Sequence, residues 1–378
     1  MRRTGIGGDL GRANGGRGRE NNNVRVPANR PSVREIGPAE RERWDAFVAG
    51  ASNGHLLQGW AWGEFKRQHG WRPVRLALVQ DGEWIAVAQV LFRSIASLSL
   101  AYVPRGPVAS LDHPEVYAQL LAGLHRYARR RLSIVLKLEP NEPEAPALSE
   151  WLGRQGFVKS RHTAQPRATL ILDLKGGEEA VLAALPKTTR YQIRLAERRG
   201  VQARVARDDV DVQKFAALMA TTGERAGFAV RSPGYYHDVL RLFRERGQAE
   251  LLLAELDEQL IAGVMVFAFG PEGVYMYAAS TNDHKEASPN DLLQWRAIQW
   301  CIKKGCARYD LWGIPPEAET GKPENGSGTP DSADGLWGVY RFKRRFAKRA
   351  IHYIGAYDYP YLPPLYRLWA RLRRNMGL

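Results

Sequence analysis

A nine-residue stretch, Arg341-Phe342-Lys343-Arg344-Arg345-Phe346-Ala347-Lys348-Arg349, holds six cations and two aromatic rings. Cations neutralise phosphates and ring faces stack on bases, so this composition suits RNA strands and ends. Phe342 and Phe346 stand four apart around Lys343, the spacing of one helical face. A second basic run, Lys187 to Arg199, follows a proline and reads as a helix. Its Arg190, Arg194 and Arg198 fall at i, i+4 and i+8 and form one cationic stripe. The plain alternative for each run is a solvated helical face. The formal net charge of +15 asks for a polyanionic partner: nucleic acid, phosphate groups or an anionic membrane face.

Other chemistries are disfavoured by the same residues. Cys301 and Cys306 are the only two cysteines, and no His pair at metal spacing accompanies them. This predicts a reducing cytoplasm, no disulfide framework and no structural zinc. Enzymes that use acyl-CoA need a Gln/Arg-x-x-Gly-x-Gly/Ala loop between a strand and a helix, where backbone N–H groups cradle the pyrophosphate. The one literal match, Arg2 to Gly7, lies in a Gly-, Arg- and Asn-rich segment with no strand before it. Gly106, in Pro104-Arg105-Gly106-Pro107, comes closest elsewhere and lacks the pattern. A different acyl donor is therefore expected. No run approaches the ~18 apolar residues of a membrane span, and residues 1–32 read as a disordered basic tail, not a signal peptide.

An internal repeat supplies the elements that must position these groups. Leu76 to Val90 matches Leu252 to Val266 at an offset of about 176 residues, and each reads as a β-hairpin, turning at Asp81-Gly82 or at Asp257-Glu258. In each copy a third strand follows, Ser97 to Tyr102 or Gly273 to Ala279. Then comes a helix opened near a proline, Pro114 to Arg131 or Pro289 to Lys304, and a further strand, Ile134 to Leu138 or Arg308 to Trp312. Two hairpin-strand-helix-strand units predict an α/β (α+β) fold of two tandem GNAT-like acyltransferase domains. The boundary is expected near Gln165-Pro166. The Pro-, Gly- and Ser-rich stretch from Pro315 to Gly335 reads as a mobile surface segment and a candidate lid.

Several blocks recur in an order and spacing that resembles the Fem family (FemABX group) of tRNA-dependent aminoacyltransferases that build peptidoglycan cross-bridges. They are Gln58 to Lys66, Tyr102 to Pro107, Lys187 to Tyr191, Arg231 to Tyr236, Tyr275 to Tyr277, Tyr309 to Gly313 and Phe342-Lys343, and the likeness spans roughly residues 33–378. It implies a first domain over 33–165, to which segment 352–378 returns, and a second over 166–351. Only a short stretch separates Tyr236 from the strand at Glu250, so the helical arm of some members is absent and the chain resembles the shorter branch. The donor implied is aminoacyl-tRNA. The acceptor implied is a muramyl-pentapeptide precursor, nucleotide- or lipid-linked.

Carried over by position, Lys66 and Arg231 are similar to the family's clamp on the acceptor diphosphate, two cations meeting one dianion. Tyr235 and Tyr277 match acceptor-binding tyrosines, and Tyr275 and Tyr277 are expected on one strand face. Glu139 matches a family Asp near the acceptor amine and is one methylene longer; Ala356 stands where the shorter type has an acid after Tyr-Ile-Gly. Phe342 and Lys343 match residues at the tRNA end and the reacting carbonyl, with Arg344, Arg345 and Lys348 as tRNA contacts. The implied reaction is attack of a stem-peptide amine on an already activated ester, so no cofactor and no metal are expected. Glu139 would accept or orient the amine proton and Lys343 would stabilise the oxyanion. The rival readings are an acyl-CoA-dependent N-acyltransferase and a non-catalytic RNA- or membrane-surface-binding module. Leu365 to Arg374 reads as a basic amphipathic helix suited to the inner membrane face.

Overall fold

Two tight turns start the architecture. Asp81 and Gly82 both take positive φ (50° and 86°), as do Asp257 and Glu258 (50° and 64°). That is the conformation whose twist matches a two-residue hairpin. The computed structural model describes residues 30–226, 230–318 and 335–372; the expected tail before residue 30 and most of the Pro315 to Gly335 segment lie outside the described residues.

In chain order the first half comprises β1 (Ser32–Glu35), α1 (Arg41–Gly50), α2 (Trp60–Gln68), β2 (Arg72–Gln80), β3 (Glu83–Ile95), β4 (Leu98–Pro104), α3 (Pro114–Arg130), β5 (Ser133–Glu139), α4 (Pro146–Arg154) and β6 (Val158–Lys159). The second half opens with β7 (Ala168–Asp173), α5 (Gly177–Ala184), α6 (Lys187–Arg198), β8 (Gln202–Val205), α7 (Asp209–Ala226) and α8 (Pro233–Arg244). It continues with β9 (Ala249–Leu256), β10 (Gln259–Phe269), β11 (Glu272–Ser280), α9 (Pro289–Lys303), β12 (Arg308–Gly313), α10 (Gly335–Lys343) and β13 (Arg349–His352). The chain then adds β14 (Tyr357–Pro360) and α11 (Pro363–Leu372).

The two sheets have one plan. The first runs β1-β2-β3-β4-β5-β14-β6 and the second β8-β9-β10-β11-β12-β7-β13. In each, only the pair flanking the proline-opened helix is parallel, β4 with β5 and β11 with β12. Both helices carry that proline in their first turn, where the missing N–H is not needed. The repeat inferred from the sequence thus holds element by element, and the fold is α/β with two GNAT-like units.

The strand order shows how the two halves are joined. After β6 the chain leaves the first sheet and places β7 in the second, between β12 and β13. After β13 it returns and places β14 in the first, between β5 and β6. A buried ion pair secures the returned strand: Lys137 Nζ lies 2.7 Å from Asp358 Oδ1, with side chains 5% and 2% exposed. Lys137 also donates to Ser160 Oγ and the His162 carbonyl, while Tyr366 donates to Asp358 Oδ2.

One apolar core is shared by the halves. Trp44, Trp60, Trp62 and Phe65 from the first pack in a single cluster with Phe215, Tyr236, Phe243 and Phe267 from the second. Helices α2 and α8 meet there, with the Phe65 and Tyr235 rings 4.6 Å apart edge to face. Gly270 (φ +53°) lets the end of β10 lie against α1: a Cβ there would come within 2.8 Å of the Ala49 methyl. Separate cores fill the outer face of each sheet.

Removing one partner from a buried ion pair strands the other charge and costs about 3–5 kcal/mol. We expect Asp358→Ala to lower unfolding stability by that amount. An unfolding free energy within about 0.5 kcal/mol of the unaltered protein, the scatter of neutral surface changes, would show that β14 is held by other forces.

Candidate active site

Helix α2 presents Lys66 at its C-terminal end, and the segment entering α8 presents Arg231 from the other half. The two meet at Tyr235. Lys66 Nζ donates to the Tyr235 hydroxyl at 3.0 Å, and the Arg231 guanidinium lies 5.5 Å from the same ring. Tyr277 donates to the Tyr235 oxygen at 3.4 Å. Trp62, Phe65 and Tyr235 surround the Lys66 ammonium at 4.8–5.1 Å from their ring centroids, offering cation–π stabilisation. Burial nevertheless pushes the Lys66 amine below its ordinary value, and the Tyr235 hydroxyl partly offsets this.

These cations border a cavity of about 140 Å³, lined among others by Trp62, Trp71, Tyr102, Gln165 and Trp369. Arg93 lines it too and adds a third cation that sequence reasoning missed, beside Lys137, whose charge is paired with Asp358. Nothing in the local sequence marks Arg93; it follows the apolar run of β3 and is placed by the strand. The structure therefore brings Lys66, Arg231, Tyr235 and Tyr277 together.

Tyr275 and Tyr277 do not share a strand face, contrary to expectation. Met265 and Val266 of β10 face Tyr277 and Tyr275, so Met276 is an extra residue and β11 bulges. The bulge turns Tyr277 toward the shared core and leaves Tyr275 on the outer core of the second half.

Glu139 is buried and fully engaged rather than open to the cavity. Its carboxylate accepts from Tyr102 Oη and from the backbone N–H groups of Ala164 and Gln165. Burial raises its pKa, while Tyr102 and the nearby Lys137 and Arg105 draw it back. Three bonds to its own protein make Glu139 a clamp on the crossover into the second half. The group that faces the cavity there is Tyr102, which also accepts from Gln165 Nε2 at 2.9 Å.

Lys343 lies elsewhere. It ends α10 at 4% exposure, donates to the Gly313 carbonyl at 2.8 Å and sits 5.5 Å from the Tyr275 ring. Burial pushes its amine down to about 7, against the pull of Asp310. The alternation of cations and stacking rings also needs correction. Phe346 is buried and Phe342 half-buried, both against the second core, because the inward face of this segment has to fill that core. Arg344, Arg345, Lys348 and Arg349 line a separate basic concavity of about 600 Å³ with Lys175 and Arg308. Arg345 is not available in full, since it pairs with the buried Asp291. Burial raises the Asp291 carboxyl to about 6.

A further polar group escaped the sequence. His55, Glu272 and Asp310 are all buried, and one ligand-type atom of each lies within 4.8 Å of the others, close enough to hold a metal ion. The hydrogen bonding argues against a metal. His55 Nδ1 accepts the Leu57 N–H at 3.0 Å, so the neutral ring carries its proton on Nε2 and presents a donor there. Glu272 already pairs with Arg308 at 2.5 Å. Burial and the adjacent Asp310 charge push Glu272 up to about 7. No spacing signals this cluster, because its members come from three distant segments.

Two exchanged GNAT-like sheets around a cationic cavity define the class, a tandem GNAT-type acyltransferase. A family model described as "FemAB family" matches residues 39–150, and one described as "Acetyltransferase (GNAT) domain" matches residues 185–344. The lipid II:glycine glycyltransferase of Staphylococcus epidermidis is 27% identical, with 89% of this chain and 95% of that protein covered. Its Staphylococcus aureus (strain USA300) counterpart is 26% identical, with 88% and 94% covered. The crystal structure of FemX superposes with a TM-score of 0.77 at 24% identity, covering 90% of this chain and all of that one. A tandem GNAT protein from the clavulanic acid biosynthesis pathway shares the fold at 0.52 and 11%, covering 87% and 98%. The chain is thus similar to Fem-family proteins over nearly its whole length.

A carboxyl raised from 4.5 to about 7 in the folded state holds a proton that the unfolded state has released. Its contribution to stability is therefore greatest below the unfolded value and is lost as pH rises to about 7. We expect Glu272→Gln to flatten the decline in melting temperature between pH 5 and pH 8. Parallel curves for variant and unaltered protein would show that Glu272 does not hold that proton.

Proposed function

We propose that the protein transfers an aminoacyl group from aminoacyl-tRNA to the stem-peptide amine of a muramyl-pentapeptide precursor. The observation that carries this reading is the meeting of Lys66 and Arg231, from opposite halves, at one cavity. A diphosphate needs two or more cations held apart by their own repulsion and brought together by the fold. Arg93 makes a third. The relatives named lipid II:glycine glycyltransferases support a precursor of this chemistry. The net charge of +15 and the basic concavity at Arg344, Arg345 and Lys348 support a polyanionic donor.

In this reading Tyr235 and Tyr277 hold the acceptor through ring faces and hydroxyls, and Tyr102, backed by Glu139, meets the sugar or peptide within the cavity. The donor ester enters by α10. There Phe342 packs the terminal nucleotide, and Lys343 turns from the Gly313 carbonyl to the oxyanion as charge develops. A lysine whose amine is pushed down to about 7 is charged below neutral pH and can still offer a proton near it. The amine nitrogen bonds to the ester carbonyl carbon, the ester C–O bond breaks, and the amine's proton passes to the departing tRNA oxygen, which leaves as a hydroxyl.

Replacing Lys66 or Arg231 by Ala should weaken precursor binding at least tenfold by calorimetry, with melting temperature little changed. Equal affinity in both variants would remove the diphosphate assignment. For Lys343→Met we expect kcat to fall by roughly 10²-fold, the effect of one oxyanion donor, with KM for the tRNA little altered. The advantage of the unaltered enzyme over the variant should shrink as pH rises through about 7, where Lys343 loses its charge. A raised KM and a full rate at saturating donor would make Lys343 a binding residue.

A further inference from the structure

Helix α11 has two unlike faces. Tyr366 and Trp369 pack inward on Leu98, Leu100, Ile134 and Val135 of the first sheet. Leu365 and Leu368 of α11, and Leu362 just before it, are 39%, 53% and 37% exposed. Arg367 and Arg371 are exposed among them, and Arg129, exposed on α3, reaches over the Tyr361 ring at 5.6 Å. Leu132, 59% exposed, lies two residues before Ile134, whose carbonyl accepts the Tyr361 and Leu362 N–H groups. Exposed leucines and arginines therefore share one rim of the first sheet. Lone exposed leucines need no explanation, but a contiguous set edged by cations marks an interaction surface.

We propose that this rim, centred on α11, docks the protein on an anionic lipid bilayer. The described part of α11, ten residues and about 15 Å long, has the make-up of an interfacial helix: leucines for the acyl boundary, arginines for the headgroups. Nucleic acid is the poorer occupant. The rings that would stack on bases, Tyr366 and Trp369, are turned into the sheet, and what faces outward is aliphatic. The rim is also continuous with the cavity, because Trp369 packs under α11 and lines the chamber that holds Lys66, Arg93 and Arg231. A bilayer at α11 would bring a lipid-linked acceptor to that chamber headgroup first. This deepens the proposed reaction and rests on it for the identity of the acceptor; the docking itself needs neither donor nor acceptor.

The full chain should sediment with vesicles of phosphatidylglycerol and phosphatidylcholine, bind pure phosphatidylcholine far more weakly, and be released by salt. Leu365→Asp with Leu368→Asp should weaken vesicle binding at least tenfold, and Arg367→Glu with Arg371→Glu should do the same without touching the apolar face. Transfer to a soluble nucleotide-linked acceptor, measured without vesicles, reports separately on the proposed reaction. Vesicle binding unchanged in both double variants would overturn the proposal. So would equal binding to both lipid compositions, or variants that lose tRNA binding and keep vesicle binding.

Discussion

The Lys137–Asp358 ion pair and the strand it secures hold the first sheet closed. Without β14 the sheet would end at β5 with an open edge, and β6, only two residues long, would have no neighbour. The same crossing chain carries the residues that frame the cavity. Gln165 and Ala164, clamped by Glu139, lie on the outward crossing, and Trp369 lies just beyond β14 on the return. The ion pair is worth little as stabilisation against an apolar substitute. Its value is in register: Asp358 is opposite Lys137 in the ladder, and a one-residue slip would turn it away.

Exchange and shared core act together. Each half contributes an apolar face that only the other covers, so α2 and α8 are fixed relative to each other by packing rather than by a linker. Two cations from different halves can then be held near each other, at a cost offset by the aromatic box around Lys66. A cavity assembled this way is held by packing from both halves. The surroundings of Lys343 differ, since it is buried against the Gly313 carbonyl and burial pushes its amine down to about 7.

Glu139 shows how a site residue changes meaning with its surroundings. By position it matched an acid near the reacting amine. In the fold its oxygens are taken by Tyr102 and two backbone amides, so it acts on the cavity through what it holds. Arg345, tied to Asp291, is a similar case on the basic side.

The sequence alone determined the repeat, the hairpin turns, the proline-opened helices and the family blocks. These are local matters: a positive φ at Asp81-Gly82, a period of 3.6 residues in α3 and α9, and runs of β-formers. The resemblance singled out Lys66, Arg231, Tyr235 and Tyr277, which the fold brings together. The resemblance implied that segment 352–378 returns to the first half, but tertiary structure alone decided between which strands β7 and β14 insert, since strand pairing depends on partners more than a hundred residues away. It decided the bulge at Met276, which separates two tyrosines that alternation places together. It decided which charges are buried, as for Lys343, Glu139 and the His55–Glu272–Asp310 group, because desolvation is a property of the surroundings and not of the residue.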